Sequence, residues 1–208
     1  MSDQSSSTNR KSLWIAAAAA FSVYFCMYAF RKPFTAAAFE GKEVFNNELK
    51  SMLIISQLIG YMTSKFVGVR LVSELNRKYR ALAIVGLIVF SELALVLFAI
   101  LPDDYKLLAM FLNGLPLGMV FGFVLSFLEG RTTTEALSAA LCASFIMSSG
   151  VVKSIGQWLI QSKSVDEFHM PMVTGLIFLL PLLFSVWVLQ KTPPPSALDV
   201  QARKKRST

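Results

Sequence analysis

Hydrophobic positions in this chain come in long blocks, with short polar breaks between them. Six blocks stand out, at about residues 13–39, 49–72, 81–101, 105–128, 136–160 and 171–189. None alternates with the period of two that a half-buried strand requires, and each is far longer than a typical strand. A run of about 20 apolar residues is what a helix needs to cross the ~30 Å hydrocarbon core of a bilayer. The expected fold is therefore an all-α membrane protein with six transmembrane helices over residues 13–191. A polar, Ser-rich tail (1–12) is expected to be disordered before it, and a Pro-rich basic tail (192–208) follows Pro193-Pro194-Pro195, which stops the last helix. The first block, read as one helix, would be about 40 Å long, so tilt or a bend is expected, and Pro33 supplies the bend. The polar breaks include Glu40 to Asn47, the basic Ser73 to Arg80, and Thr132-Thr133-Thr134-Glu135, where Thr132 and Glu135 fit a capping box.

Composition supports this reading. Of 208 residues 54% are hydrophobic and 16% charged, with 17 Phe and a mean hydropathy of +0.56, which a soluble domain of this size rarely shows. The net charge of +7 first suggests nucleic acid. Its distribution has a simpler cause. Six spans put both termini on one side, and that side collects twelve lysines and arginines. The other side has four, Lys42, Lys50, Lys106 and Lys163. The basic side is read as cytoplasmic, with both termini there, in the cell (inner) membrane. The lipid bilayer is the expected partner, and nucleic acid is not. The basic pair Arg10-Lys11 before Ala16 to Ala20 imitates a secretory signal, but the apolar stretch continues well past the alanines. Cys26 and Cys142 both fall in spans, and no disulfide, metal site or cofactor is expected.

The remaining four cations lie within spans: Arg31, Lys32, Lys65 and Lys153. Ionisable groups inside a membrane are costly, about 2.5–3.5 kcal/mol each on insertion scales, and commonly mark function. On a helix, Tyr24, Tyr28, Arg31 and Thr35 form one stripe, while Lys32 points about 100° away. Gln57, Tyr61 and Lys65 form a second stripe, and Lys153 has Ser149 and Gln157 four residues to either side. The bland alternative is that these cations snorkel to the nearer interface and act as anchors. Three helices that each bring a cation, with no comparable set of acids, favour an anionic ligand. Glu92 is the one acid near the middle of a span. It either pairs with Lys65 or Lys153, the plainer expectation, or serves as a coupling carboxylate. Gly114, Gly118 and Gly122 repeat every four residues and predict a smooth face for close helix packing.

Enzyme readings find little to stand on. His169 is the single histidine, no Gly-x-Ser-x-Gly elbow is present, and Pro102-Asp103-Asp104-Tyr105-Lys106 only approaches the mitochondrial-carrier signature. No enzymatic activity is expected.

Tyr28-Ala29-Phe30-Arg31-Lys32-Pro33-Phe34 resembles the first-helix pattern of the major facilitator superfamily, in particular its organophosphate:phosphate antiporter branch. Ile59-Gly60-Tyr61-Met62-Thr63-Ser64-Lys65-Phe66-Val67-Gly68 looks like that branch's second-helix segment. Ser73-Glu74 with Arg77, Lys78 and Arg80 is similar to the superfamily's loop between helices 2 and 3, with Glu74 where Asp is usual and the glycine missing. The resemblance implies a superfamily-like half bundle that transports an organic or phosphorylated anion by alternating access. Arg31 and Lys65 would hold the anion, assisted by Lys32, Lys153, Tyr28 and Tyr61. The branch's fifth-helix histidine has no counterpart, so glycerol phosphate is not implied. Superfamily transporters have two six-helix halves, so a second half, from a copy or a partner chain, is expected. The alternative is a non-transporting multi-pass protein with a scaffolding or sensing role.

Overall fold

The computed structural model describes the backbone of residues 2–128 and 134–192, and the side chains of 14–128 and 138–192. The capping box at Thr132 and Glu135 and the tail beyond Thr192 lie outside the described residues. Among those described, the chain forms six α-helices: α1 (Ser2–Met27), α2 (Leu49–Glu74), α3 (Arg77–Ile100), α4 (Asp103–Leu128), α5 (Thr134–Lys163) and α6 (Met170–Gln190). Five of them, α2 to α6, contain segments long and apolar enough to cross a membrane, whereas the apolar part of the first, Trp14–Phe30, is shorter. The protein is thus a helical integral membrane protein. α1 starts at Ser2, inside the stretch expected to be disordered.

The first block is where structure and pattern part company. It does not run as one bent helix to residue 39. α1 ends at Met27, and two 3-10 turns follow, Tyr28–Phe30 and Pro33–Ala36. Pro33 has no amide hydrogen, and its ring crowds the carbonyl four residues back, so the α-ladder cannot pass it. Lys32, the residue before it, stays in the right-handed region, at φ −104° and ψ −17°, wider than the α-helical φ. Local bonds are remade at shorter range: Arg31 and Lys32 amides both donate to the Tyr28 carbonyl, at 3.1 and 2.9 Å.

The polar break at 40–47 holds a small hairpin, β1 (Glu43–Val44) and β2 (Asn47–Glu48), paired antiparallel. Its two loop residues, Phe45 and Asn46, both have positive φ, the type I′ geometry that suits strand twist.

α2 and α4 form the most extensive helix pair, α4 also lies along α3, and α1 lies against α5 and α6. The glycines explain how close α2 and α4 come. A Cβ on Gly114 would strike the Gln57 carbonyl, one on Gly118 the Ser64 hydroxyl, and one on Gly122 would stand 3.1 Å from Val72. α2 reciprocates: Gly60 lies against the Phe111 carbonyl and Gly68 against Met119. Small residues let backbones approach, and dispersion replaces the hydrophobic drive that lipid cannot supply.

One end of the bundle is tied shut. The Glu167 carboxylate accepts from the Ala38 and Phe39 amides (3.1 and 2.8 Å), and Lys42 pairs with Asp103 at 2.8 Å. Lys106, counted among the cations of the less basic side, is almost fully buried. Its ammonium caps the end of α3 by donating to the carbonyls of Phe98 (3.0 Å) and Leu101 (2.6 Å), and lies 4.1 Å over the Phe168 ring. At the opposite end Arg77 donates to the Thr192 carbonyl at 3.0 Å.

Candidate functional site

Non-helical backbone at membrane depth needs partners for its freed carbonyls, since lipid offers none. Here α2 and α4 supply them, with α3 holding one of the donors in place. Asn113 of α4, fully buried, donates from its amide nitrogen to the Phe30 carbonyl (3.1 Å) and the Ser91 hydroxyl (2.8 Å), with the Ser91 carbonyl 3.2 Å away. Gln57 of α2 donates to Asn113 Oδ1 (2.8 Å) and to the Arg31 carbonyl (3.0 Å). The broken segment is therefore clamped at Phe30–Arg31 by α2, α3 and α4 together. Gln57, expected on a stripe with Tyr61 and Lys65, has turned inward to this structural task.

Arg31 is held by that clamp against aromatic rings. Its guanidinium carbon lies 4.0 Å from the centroid of Tyr61 and 5.7 Å from that of Tyr28. The Lys65 ammonium approaches the Tyr61 ring at 4.9 Å. Cations over aromatic faces are attracted by the ring quadrupole, by about 0.5–2 kcal/mol according to desolvation. Tyr24 packs edge-on to Tyr28 at 5.6 Å, and Tyr28 stacks on Phe145 of α5 at 6.2 Å. Lys32, expected to point away from Arg31, stands within electrostatic range of both Arg31 and Lys153. Thr35 does not join the stripe: its hydroxyl donates to the Lys32 carbonyl at 2.7 Å. Arg31 and Lys32 are half-buried, and Lys65 and Lys153 are exposed.

The arrangement is a cluster of positive charge drawn from the broken segment, α2 and α5. Among the described residues no ion pair neutralises any of the four cations. Glu92 does not pair with Lys65 or Lys153. It is buried, with both carboxyl oxygens lacking a hydrogen-bond partner, and its oxygens press on Gly175 of α6, where any Cβ would collide with them beside the Phe30 ring.

Asn113 and Ser91 carried a signal that charge-counting passes over. An amide with a nearby small hydroxyl, inside otherwise apolar helices, must find partners within the protein. Lys106 likewise sat in plain view, one turn into α4, where its stem reaches back to the preceding helix end.

The family profile that matches is DUF5690, a family of unknown function, over residues 33–208. The chain belongs to that family. The matched region takes in Tyr61, Lys65, Glu92, Asn113 and Lys153, and begins just after Arg31 and Lys32. The sequence has no significant match among curated proteins.

Proposed function

We propose that this DUF5690 protein is a secondary transporter, or half of one, that moves an organic or phosphorylated anion by alternating access. The observation that carries the reading is the cation cluster itself: Arg31 and Lys65 on one tyrosine ring, Lys32 and Lys153 in range, and no described acid to balance them. Uncompensated positive charge in an apolar bundle is unfavourable until an anion arrives. Arg31 offers a planar fork for a phosphate or carboxylate, Lys65 a point charge, and Tyr28 and Tyr61 hydroxyls that complete the shell. The likeness to the major facilitator superfamily rests on the first- and second-span motifs and agrees with this assignment.

In this reading the first segment is a sixth crossing, and the Arg77 end faces the cytoplasm with both termini, as the lysine and arginine bias requires. A second six-helix half, from a copy or a partner chain, completes the transport path. Glu92, on α3 against Gly175 of α6 and without a hydrogen-bond partner, is the coupling candidate; Glu92→Gln removes its charge change, leaving only the pH dependence that the substrate's own ionisation brings.

The test is equilibrium binding by calorimetry. Purified protein binds orthophosphate or its esters, and Arg31→Ala and Lys65→Ala each weaken binding by about 10–100-fold, the worth of a hydrogen bond to a charged group. Wild-type affinity in both variants would falsify the anion site.

A further inference from the structure

Along the joined faces of α2 and α4, on the Arg77 side of the cluster and bounded by Arg80 of α3, lies a cleft of about 550 Å³. That is within the size range of small-molecule sites. One end is marked by Lys65 and Gly118, the other by Ser73, Arg80 and Ser126. The nine residues of α4 from Gly118 to Ser126 span roughly 12 Å. Along that length the walls are Val69, Val72, Met119, Phe121 and Leu125. The inner end adjoins the cation cluster: Lys65 lines it and shares the Tyr61 ring with Arg31, and Phe121, also on its wall, packs at 5.4 Å on Tyr24. At the far end the Arg80 guanidinium is fixed in place, donating to the carbonyls of Leu75 (3.2 Å) and Ser126 (3.1 Å).

A small hydrophilic anion at Lys65 would use the charge and leave the apolar walls wet. A ligand with an anionic head and a compact apolar body would use both, because burying apolar surface is favourable by about 25 cal/mol per Å². We infer that the anion is amphipathic, an alkyl or aryl phosphate or carboxylate, with its head on Lys65 and Arg31 and its body lying in the cleft toward Arg80. Arg80 draws the anion to the opening by its charge. The inference rests on the anion-site reading and narrows it to a substrate class.

The experiment measures competition with labelled orthophosphate on full-length protein in phosphatidylcholine nanodiscs. Competitors are methyl, ethyl, propyl, butyl and phenyl phosphate, with phosphatidic acid in the nanodisc as a separate arm. Affinity is expected to rise about fourfold per methylene, the factor for burying one CH₂, and phenyl phosphate is expected to exceed methyl phosphate by at least tenfold. Val69→Asn reduces the gain per methylene, and because Val69 is 75% exposed the change removes no core contact. Lys65→Ala weakens every member of the series. A flat series overturns the inference and leaves the anion site standing, whereas no orthophosphate binding at all overturns both. Displacement by phosphatidic acid alone also overturns it, in favour of a lipid headgroup site.

Discussion

Asn113 is the residue on which the site's geometry depends most. It touches neither Arg31 nor Lys65, yet with Gln57 and Ser91 it satisfies the carbonyl of Phe30 and orients the donor that holds the carbonyl of Arg31. Asn113→Ala leaves buried groups without partners, at about 1–3 kcal/mol for each. The thermal unfolding midpoint in detergent should fall clearly, while Asn113→Gln, which keeps the chemistry but not the length, should recover only part of the loss. An unchanged midpoint for the alanine variant would show that the clamp is not there. The cations themselves were legible in the sequence, because charge inside an apolar run is conspicuous. The clamp was not, because Asn113 and Ser91 are neutral and their partners are backbone carbonyls, freed only once the helix has broken. For the same reason Glu92 was expected to pair with a lysine. Charge complementarity is visible along a sequence, whereas its distance in space is not.

Element boundaries followed the hydropathy blocks closely for α2 to α6, since a membrane-length apolar run leaves the backbone no alternative to a helix. The first block departed from its pattern because Pro33 ends the ladder instead of bending it. The glycine spacing predicted a smooth face on α4 but could not name its partner, which α2 supplies with Gly60 and Gly68. Two substitutions separate contact from propensity. Gly118→Ala places a methyl group against the Ser64 hydroxyl and 2.6 Å from the Tyr61 carbonyl, so α2 and α4 must part and the unfolding midpoint drops. Gly150→Ala on α5 meets nothing within 4 Å and should be neutral or raise stability by up to about 1 kcal/mol through helix propensity. Equal effects from the two would refute the packing account. The α5–α6 connection carries a pH dependence of its own. Burial alone would raise the Asp166 carboxyl, but the Phe168 amide (2.9 Å) and the His169 ring (3.2 Å) outweigh it and hold the group below its ordinary range. A carboxyl depressed in the folded state stabilises above its ordinary range, and that contribution is lost as pH falls through the folded value. Acidification from about pH 5 downward should lower the wild-type midpoint more than that of Asp166→Asn. Parallel curves would contradict the assignment.

At the scale of the whole molecule the two ends of the bundle differ. The Asp103 end is closed by the Lys42–Asp103 pair, the Glu167 contacts and the packed rings of Phe39, Phe98 and Phe168. Toward the Arg77 end, a groove along α2 and α4 runs from Arg80 to Lys65. Among the described residues, a tied end and a charged site approached from the other side fit the alternating access proposed above. The helices, five of them long and apolar enough to cross a membrane, and the cations within them were readable from composition and spacing. The closure was not, since it is assembled from loop residues far apart in the chain. The most direct measurement is flux in proteoliposomes loaded with orthophosphate, with labelled phenyl phosphate outside. Wild-type protein should exchange the two, and Arg31→Ala and Lys65→Ala should each slow exchange by tenfold or more, in line with about 1.4 kcal/mol or more of lost charged contact. Binding without exchange would contradict transport by this chain on its own, and exchange that survives both substitutions would contradict the account at its centre.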